Sequence, residues 1–355
     1  MPTHRDVRRQ FGHHVTDNEE FADLWADYEH LRGLHADGHL KASGIGLALR
    51  KPHPDADLKP AIVLYVDAHG HGAGGLPVRS LNGFPVHIED IGPQIIESVA
   101  TDDDVTDAFR QAYGSPPGGV STATVGCGTS GTLGCFASSG GNTYLISNRH
   151  VLDALMNGAL NVGVQQQSAQ DGNTTTTAVA TTKFLGPLAN PTPSPNTNAD
   201  VGAALMGSVN FNKQQLIAAN SFAPLITPNT IPMAQESVRK SGRTTGQTAG
   251  VVDSVTAQVN VSYSNGATYT FDNCIGVANP NGAFQQGGDS GALLVNAAYQ
   301  PVGLMMSASS GPTGRAFAMR IAFVLAALNT AAGVSDFTIL TGSAAAEARQ
   351  AVRTR

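Results

Sequence analysis

From Gly119 to about residue 335 the chain alternates short β-like runs with turns of Gly, Asn, Ser and Thr. Thr143–Ser147, Val259–Tyr263, Ala292–Val295 and Val302–Met306 are runs of this kind. Strands this short, separated by turns this often, predict an all-β barrel or sandwich. The turn sequence Ser115-Pro-Pro-Gly-Gly119 marks where the pattern begins. Composition changes at the same place. Residues 1–118 hold 18 of the 27 acidic residues and ten of the 11 histidines, so His150 is the only histidine of the β-rich part.

The first part reads as a small α+β domain. Phe21, Leu24, Trp25, Tyr28, Leu31 and Leu34 recur at spacings of mostly three and four, which predicts an amphipathic helix from Asn18 to about Leu40, capped by Asp17 or Asn18. Gly44–Arg50, Ala61–Val66 and Phe84–Ile88 read as strands, with Pro85 favouring an edge position for the last. Residues Asp102–Tyr113 predict a connecting helix, and Ala318–Ala332 a terminal one. The division expected is an accessory domain over 1–98, a connecting segment over 99–118, a β-rich main domain over 119–335 and a tail over 336–355. Pro191–Asn198 reads as a surface loop within the β-rich domain.

Lys and Arg number 21 against 27 Asp and Glu, a formal charge of −6, which argues against nucleic acid or an anionic membrane as partner. Three cysteines exclude a four-cysteine zinc site and a dense disulfide framework. Cys127 and Cys135 read either as a hairpin disulfide or as separate thiols, and Cys274 as structural. No run of eighteen apolar residues occurs, so no spanning helix is expected. The start, MPTHRDVRRQF, lacks an apolar core, so the cytoplasm is the default expectation. Export by a non-classical route, or with a leader already removed, stays open.

Three stretches carry residues suited to chemistry. Tyr144-Leu-Ile-Ser-Asn-Arg-His-Val-Leu152 runs a strand into His150, Asn198-Ala-Asp-Val-Gly202 centres on Asp200, and Gln286-Gly-Gly-Asp-Ser-Gly291 centres on Ser290. A serine hydroxyl is a weak nucleophile at neutral pH and needs an adjacent base. His150 has no competitor for that role in the β-rich part. Asp200 competes with Asp153, Asp171, Asp253 and Asp272 for the carboxylate.

The order His150, Asp200, Ser290 and the Gly-Asp-Ser-Gly core at 288–291 resemble the trypsin/chymotrypsin-like serine peptidases over about Gly119–Ala332. Gly44-Ile-Gly, Ala61–Val66, Leu76-Pro77 and Gly83-Phe-Pro-Val86 further resemble bacterial relatives of the plant narrow-leaf serine peptidases. The resemblance implies an all-β, chymotrypsin-like double six-stranded barrel preceded by the small α+β domain. It implies His150 as general base, Asp200 as its orienting carboxylate, Ser290 as nucleophile, and the N–H groups of Gly288 and Ser290 as oxyanion hole. Counting back six residues from Ser290 gives Phe284 at the base of the substrate pocket, with Met306 and Ser307 on its wall. Either Met306 or Ser307 falls where some members carry a serine that supports the aspartate. The expectation for Asp289 is that it shapes the oxyanion loop through local hydrogen bonds.

Other features read more plainly. Asp67, His69 and His71 read as an exposed glycine-rich loop rather than a metal site. Arg239, Lys240 and Arg243 read as a solvated turn. The sequence therefore predicts a serine endopeptidase acting on protein or peptide substrates, with no cofactor, no metal, and a homo-oligomer as a further expected partner. An esterase using the same triad, and a latent protease-fold binding module covered by residues 1–118, are the alternatives.

Overall fold

The computed structural model describes residues 4–342 apart from 16, 37–39, 41, 52–55, 68–79, 82–83, 92–93, 96–106, 191–196 and 310–314. His69, His71, Leu76-Pro77, Gly83, Asp102, most of the 191–198 loop and the tail beyond Gly342 therefore lie outside the described residues. Among the described residues no helix is long and apolar enough to cross a membrane.

The N-terminal region opens with α1 (His4–Arg9) and α2 (Asn18–Ala36). Asp17 Oδ1 accepts the backbone N–H of Glu19 at 2.8 Å and of Glu20 at 3.1 Å, two donors that a helix start otherwise leaves unpaired. Phe21, Leu24, Tyr28 and Leu31 are buried along one side of α2, as their spacing predicts. Strands β1 (Gly44–Arg50), β2 (Lys59–Val66), β3 (Ser80–Leu81), β4 (Phe84–Asp90) and β5 (Gln94–Ile95) follow. Of the expected connecting helix, a single 3-10 turn at Asp107–Phe109 falls within the described residues.

The next strands are β6 (Ser121–Thr124), β7 (Gly131–Thr132), β8 (Cys135–Ser139), β9 (Asn142–Ser147), β10 (Gly163–Gln165), β11 (Ala180–Leu185) and β12 (Gly202–Met206). The short helix α3 (Arg149–Leu152) leaves the end of β9. These strands form an eight-stranded sheet with β21 (Thr338–Ile339), in the order β21-β8-β9-β12-β11-β10-β6-β7. Strands β13 (Gln215–Ala218) and β14 (Ser221–Ala223) form a separate hairpin.

The remaining strands are β15 (Ser237–Gly242), β16 (Gly246–Ser262), β17 (Thr268–Ala278), β18 (Leu293–Asn296), β19 (Pro301–Ser309) and β20 (Ala316–Arg320), with α4 (Ile321–Ala332) after them. These six strands close into a ring, β15-β18-β19-β20-β17-β16, because β15 also pairs antiparallel with β16 from Ser237↔Val251 to Gly242↔Gly246. Strand β1 pairs antiparallel with β16 from Gly44↔Val259 to Ala48↔Ser254, so the path runs β15-β18-β19-β20-β17-β16-β1-β2-β4-β3. Strand β5 pairs with β16 and β19, giving eleven strands in all. Of the expected pair of six-stranded barrels, one is present as the closed ring within this eleven-stranded sheet, which the N-terminal strands extend; the other half is an eight-stranded sheet rather than six strands. The extension comes from the length of β16: its 17 residues pair with β15 over Gly246–Val251, which closes the ring, and with β1 over Ser254–Val259, which adds the N-terminal strands.

Period-2 alternation divides the apolar residues between three cores. On β9, Tyr144 and Ile146 face a core shared by the two large sheets, while Leu145 faces a core of Phe136, Val164 and Ala204 inside the smaller one. A third core joins Phe21, Leu24 and Tyr28 of α2 and Ile45, Leu47 and Leu49 of β1 to Val252 and Val277.

Candidate active site

Strand pairing brings His150 and Asp200 together. Strands β9 and β12 are antiparallel with Ser147 opposite Gly202, so the residues just after the one lie beside those just before the other. Asp200 Oδ2 lies 2.6 Å from His150 Nδ1, and Oδ1 accepts the His150 backbone N–H at 3.0 Å. Asn148 Nδ2 donates to the Asp200 carbonyl at 2.7 Å, which ties the turn before His150 to the same residue. Asp200 is fully buried and the imidazole is 11% exposed. A carboxylate on Nδ1 leaves Nε2 as the nitrogen able to accept a proton. Asp153, Asp171, Asp253 and Asp272 have other partners: Arg149, Arg243, Arg50 and Arg32 respectively.

Ser290 comes from the turn before β18 and docks onto the other sheet. Thr132 donates its backbone N–H to the Ser290 carbonyl and its hydroxyl to the Gly288 carbonyl, each at 2.8 Å. Gly291 sits at φ +89°, where a Cβ would collide with Ser147 Oγ and the Thr132 carbonyl. That close approach sets the serine turn against the strand end that leads to His150. Ser290 Oγ donates to the Met306 carbonyl at 3.4 Å. No hydrogen bond joins Ser290 to His150 in this structure. Gly288 adopts φ +90°, and neither its N–H nor that of Ser290 has an acceptor among the described residues. Both positions are buried.

Asp289 is fully buried and accepts from five donors. These are the N–H groups of Thr244 at 2.8 Å, Thr245 at 3.1 Å and Gln286 at 3.1 Å, Thr245 Oγ1 at 2.6 Å, and Lys240 Nζ at 2.9 Å. Arg243 pairs with Asp171, which also accepts from Ser121 at 2.5 Å and Ser168 at 2.8 Å. Lys240 and Arg243 are therefore not a solvated turn; both are buried and each meets a carboxylate. Burial alone would raise the Asp171 pKa, but hydrogen bonds from Arg243 and Ser121 hold it below the usual carboxylate range.

The residues expected at the pocket are all fully buried. Phe284 packs in the core with Val252 and Val277, and its carbonyl accepts from Thr248 Oγ1 at 2.7 Å. Met306 lies in the core shared by the sheets, its carbonyl facing Ser290. The Ser307 hydroxyl is buried without a partner, so it gives no support to Asp200. Cys127 and Cys135 are separate thiols, and burial pushes the Cys135 thiol up to about 12. Among the described residues no cluster of three or more metal-ligating side chains occurs.

Two neighbours of the site escaped sequence reasoning. Tyr263 sets its ring edge-on against His150, centroids 5.8 Å apart and planes at 86°. Alternation with Val259 and Val261 marks Tyr263 as inward-facing, but nothing in the pattern says what it faces. The other is β5. Beyond Met305, the edge of β19 that faces Ser290 is no longer paired with β18; there β5 pairs antiparallel, Ile95 opposite Ala308 and Gln94 opposite Ser309.

No known family profile matches the sequence, and no curated protein matches it. Among solved structures, a glutamic acid-specific serine protease is 20% identical, with 63% of this chain and 100% of that chain covered and a TM-score of 0.46. Thermobifida fusca protease A is 18% identical over 64% of this chain and 100% of its own, with a TM-score of 0.46. Cellulomonas bogoriensis chymotrypsin is 20% identical over the same shares, with a TM-score of 0.44. Scores this low carry no argument about this chain; the weight rests on the pairing of β9 with β12 and on the turn at 286–291.

Proposed function

We propose that this protein is a serine endopeptidase with a chymotrypsin-like catalytic unit. The observation that carries the reading is the buried Asp200 carboxylate holding His150 by two hydrogen bonds, across a sheet contact from a serine turn with two unpaired N–H groups. The Ser290 hydroxyl leaves the Met306 carbonyl and gives its proton to His150 Nε2 as Oγ bonds to the scissile carbonyl carbon. The Gly288 and Ser290 N–H groups receive the oxyanion. Each such donor is worth about 3 kcal/mol in the transition state. His150 then protonates the leaving amine as the C–N bond breaks, and water hydrolyses the acyl ester by the same route. Asp200 holds the imidazole in the tautomer this requires and stabilises its protonated form. Phe284, six residues before Ser290 and buried in the core with Val252 and Val277, offers no carboxylate to a basic side chain. Fluorophosphonate labelling of the full chain, with Ser290→Ala and His150→Gln as controls, tests the reading. A single adduct on Ser290, absent from both variants, is expected. An adduct that persists in His150→Gln at the wild-type rate refutes it. Turnover of peptides as well as small esters separates a peptidase from an esterase.

A latent state of the same site is favoured by two specific observations. Ser290 Oγ is turned to Met306 rather than to His150, and β5 occupies the β19 edge on which an extended substrate would pair.

A further inference from the structure

Asp200 is an under-satisfied buried charge. It has no exposed surface, and among the described residues its carboxylate, with room for about four donors, completes hydrogen bonds only with His150. Strand β19 supplies no donor, because Met306 carries none and the Ser307 hydroxyl has no partner. Tyr263 has the complementary deficit. It is 5% exposed, its hydroxyl is buried, and it completes no hydrogen bond. A buried polar group left unpaired is costly, so such a pair of deficits in one site calls for a functional reason. Burial, then the negative charge of Asp200, then a side-chain interaction of the phenol with that carboxylate push the Tyr263 pKa far above the ordinary tyrosine value, so the phenol keeps its proton and acts as a donor. The other titratable groups facing it are Tyr269 and Cys274 of β17, and both are themselves buried. The ring is fixed edge-on against His150 and, on its other sides, by Tyr269 at 5.0 Å and Phe271 at 6.2 Å.

We infer that Tyr263 is a positioning residue of the catalytic pair, its hydroxyl donating to the Asp200 carboxylate in the working enzyme. This rests on the triad reading above and deepens it. A donor on Asp200 spreads its negative charge and fixes its plane, which sets both the direction and the basicity of His150. Tyr263→Phe keeps the ring and removes only the donor. Its carboxylate is then less satisfied and stabilises the protonated imidazole more, so the His150 pKa rises.

The test is the NMR titration of His150 in full-length protein labelled with 15N-histidine, which needs no activity, alongside the pH profile of fluorophosphonate labelling. Tyr263→Phe should move the His150 titration, and the acid limb of labelling, to higher pH, and should slow labelling on the alkaline plateau by roughly tenfold, the size of one hydrogen bond. Tyr269→Phe, which alters the same aromatic cluster, should move neither. A Tyr263→Phe titration that superimposes on wild type overturns the inference. Absence of labelling in wild type would point to the latent state or to failure of the triad reading, and would leave the NMR comparison decisive for Tyr263. Should Tyr263→Phe fail to fold, 3-fluorotyrosine placed at 263 replaces it. Its 19F resonance should shift between the wild-type chain and Asp200→Asn, and an unmoved resonance overturns the inference equally.

Discussion

Lys240→Met tests whether the serine turn is held by one buried charge pair. Lys240 and Asp289 are both fully buried, with Nζ 2.9 Å from Oδ2. At that distance and an effective dielectric of about 20, the attraction is roughly 6 kcal/mol. Desolvation offsets most of this in the intact pair, and burial lowers the Lys240 pKa against the pull of Asp289. Removing one partner is different, because the other charge stays buried; the usual cost is about 3–5 kcal/mol. Asp289 retains four donors from Thr244, Thr245 and Gln286, which places this case near the lower end, at about 3 kcal/mol. That is a large share of the 5–15 kcal/mol that ordinarily separates folded from unfolded chains. The assay is the urea midpoint of Lys240→Met, Asp289→Asn and the double variant. The double variant should recover much of the loss, since it removes both charges. Fluorophosphonate labelling of Lys240→Met under folding conditions should also fall, because Asp289 lies between the two residues whose N–H groups would bind the oxyanion. A loss under about 1 kcal/mol with unchanged labelling would refute the argument.

Gly291→Ala should lose about 2 kcal/mol or more and most labelling, because φ +89° and the collision with Thr132 and Ser147 leave no room for a methyl group. A urea midpoint within error of wild type would show that the two sheets separate easily at this contact. Asp171 has a depressed pKa in the folded chain, so its contribution to stability is present above the ordinary carboxylate range and is lost as pH falls through the depressed value. The difference in urea midpoint between wild type and Asp171→Asn should accordingly be full at pH 7 and shrink below about pH 4. A difference independent of pH would remove the charge from the account. Ile95→Pro breaks the pairing of β5 with Ala308 and Ser262, and peptide turnover should rise. A fall in turnover would mean that β5 supports the site rather than blocks it.

How much of this was legible in the sequence differs from residue to residue. Helix α2 and strands β1, β2, β9 and β19 were readable because each is decided by its own period and its own flanking turns. The partnership of His150 with Asp200 was readable from short contexts, since a strand ending in one residue and a strand starting after the other need only pair once. Lys240 was misread because a basic side chain beside glycines looks solvated until its partner, 49 residues away, is known. Phe284 shows the same limit from the other side. Counting from Ser290 gives its place along the chain, but not that it is packed against Gly250 in a core. The extension of the six-stranded ring by the N-terminal strands was out of reach altogether, because it depends on β16 accepting β1, a pairing between residues more than 200 apart.

That pairing bears on how residues 1–118 can be studied. Strand β1 covers β16 over Gly44–Ala48, and Ile45, Leu47, Leu49, Ile62 and Leu64 are buried in one core with Val252 and Val277 of the sheet that carries Ser290. Deleting the N-terminal region would expose those side chains and leave the edge of β16 without a partner, at a cost of about 1.5–3 kcal/mol for each large apolar group that loses its cover. A truncated chain that failed to label would then report unfolding as readily as a dead triad. A single change in β5 leaves this core intact and alters only the edge beside Ser290. Whether the N-terminal region inhibits the site is therefore to be read from Ile95→Pro in the full chain, with the β1–β16 pairing kept.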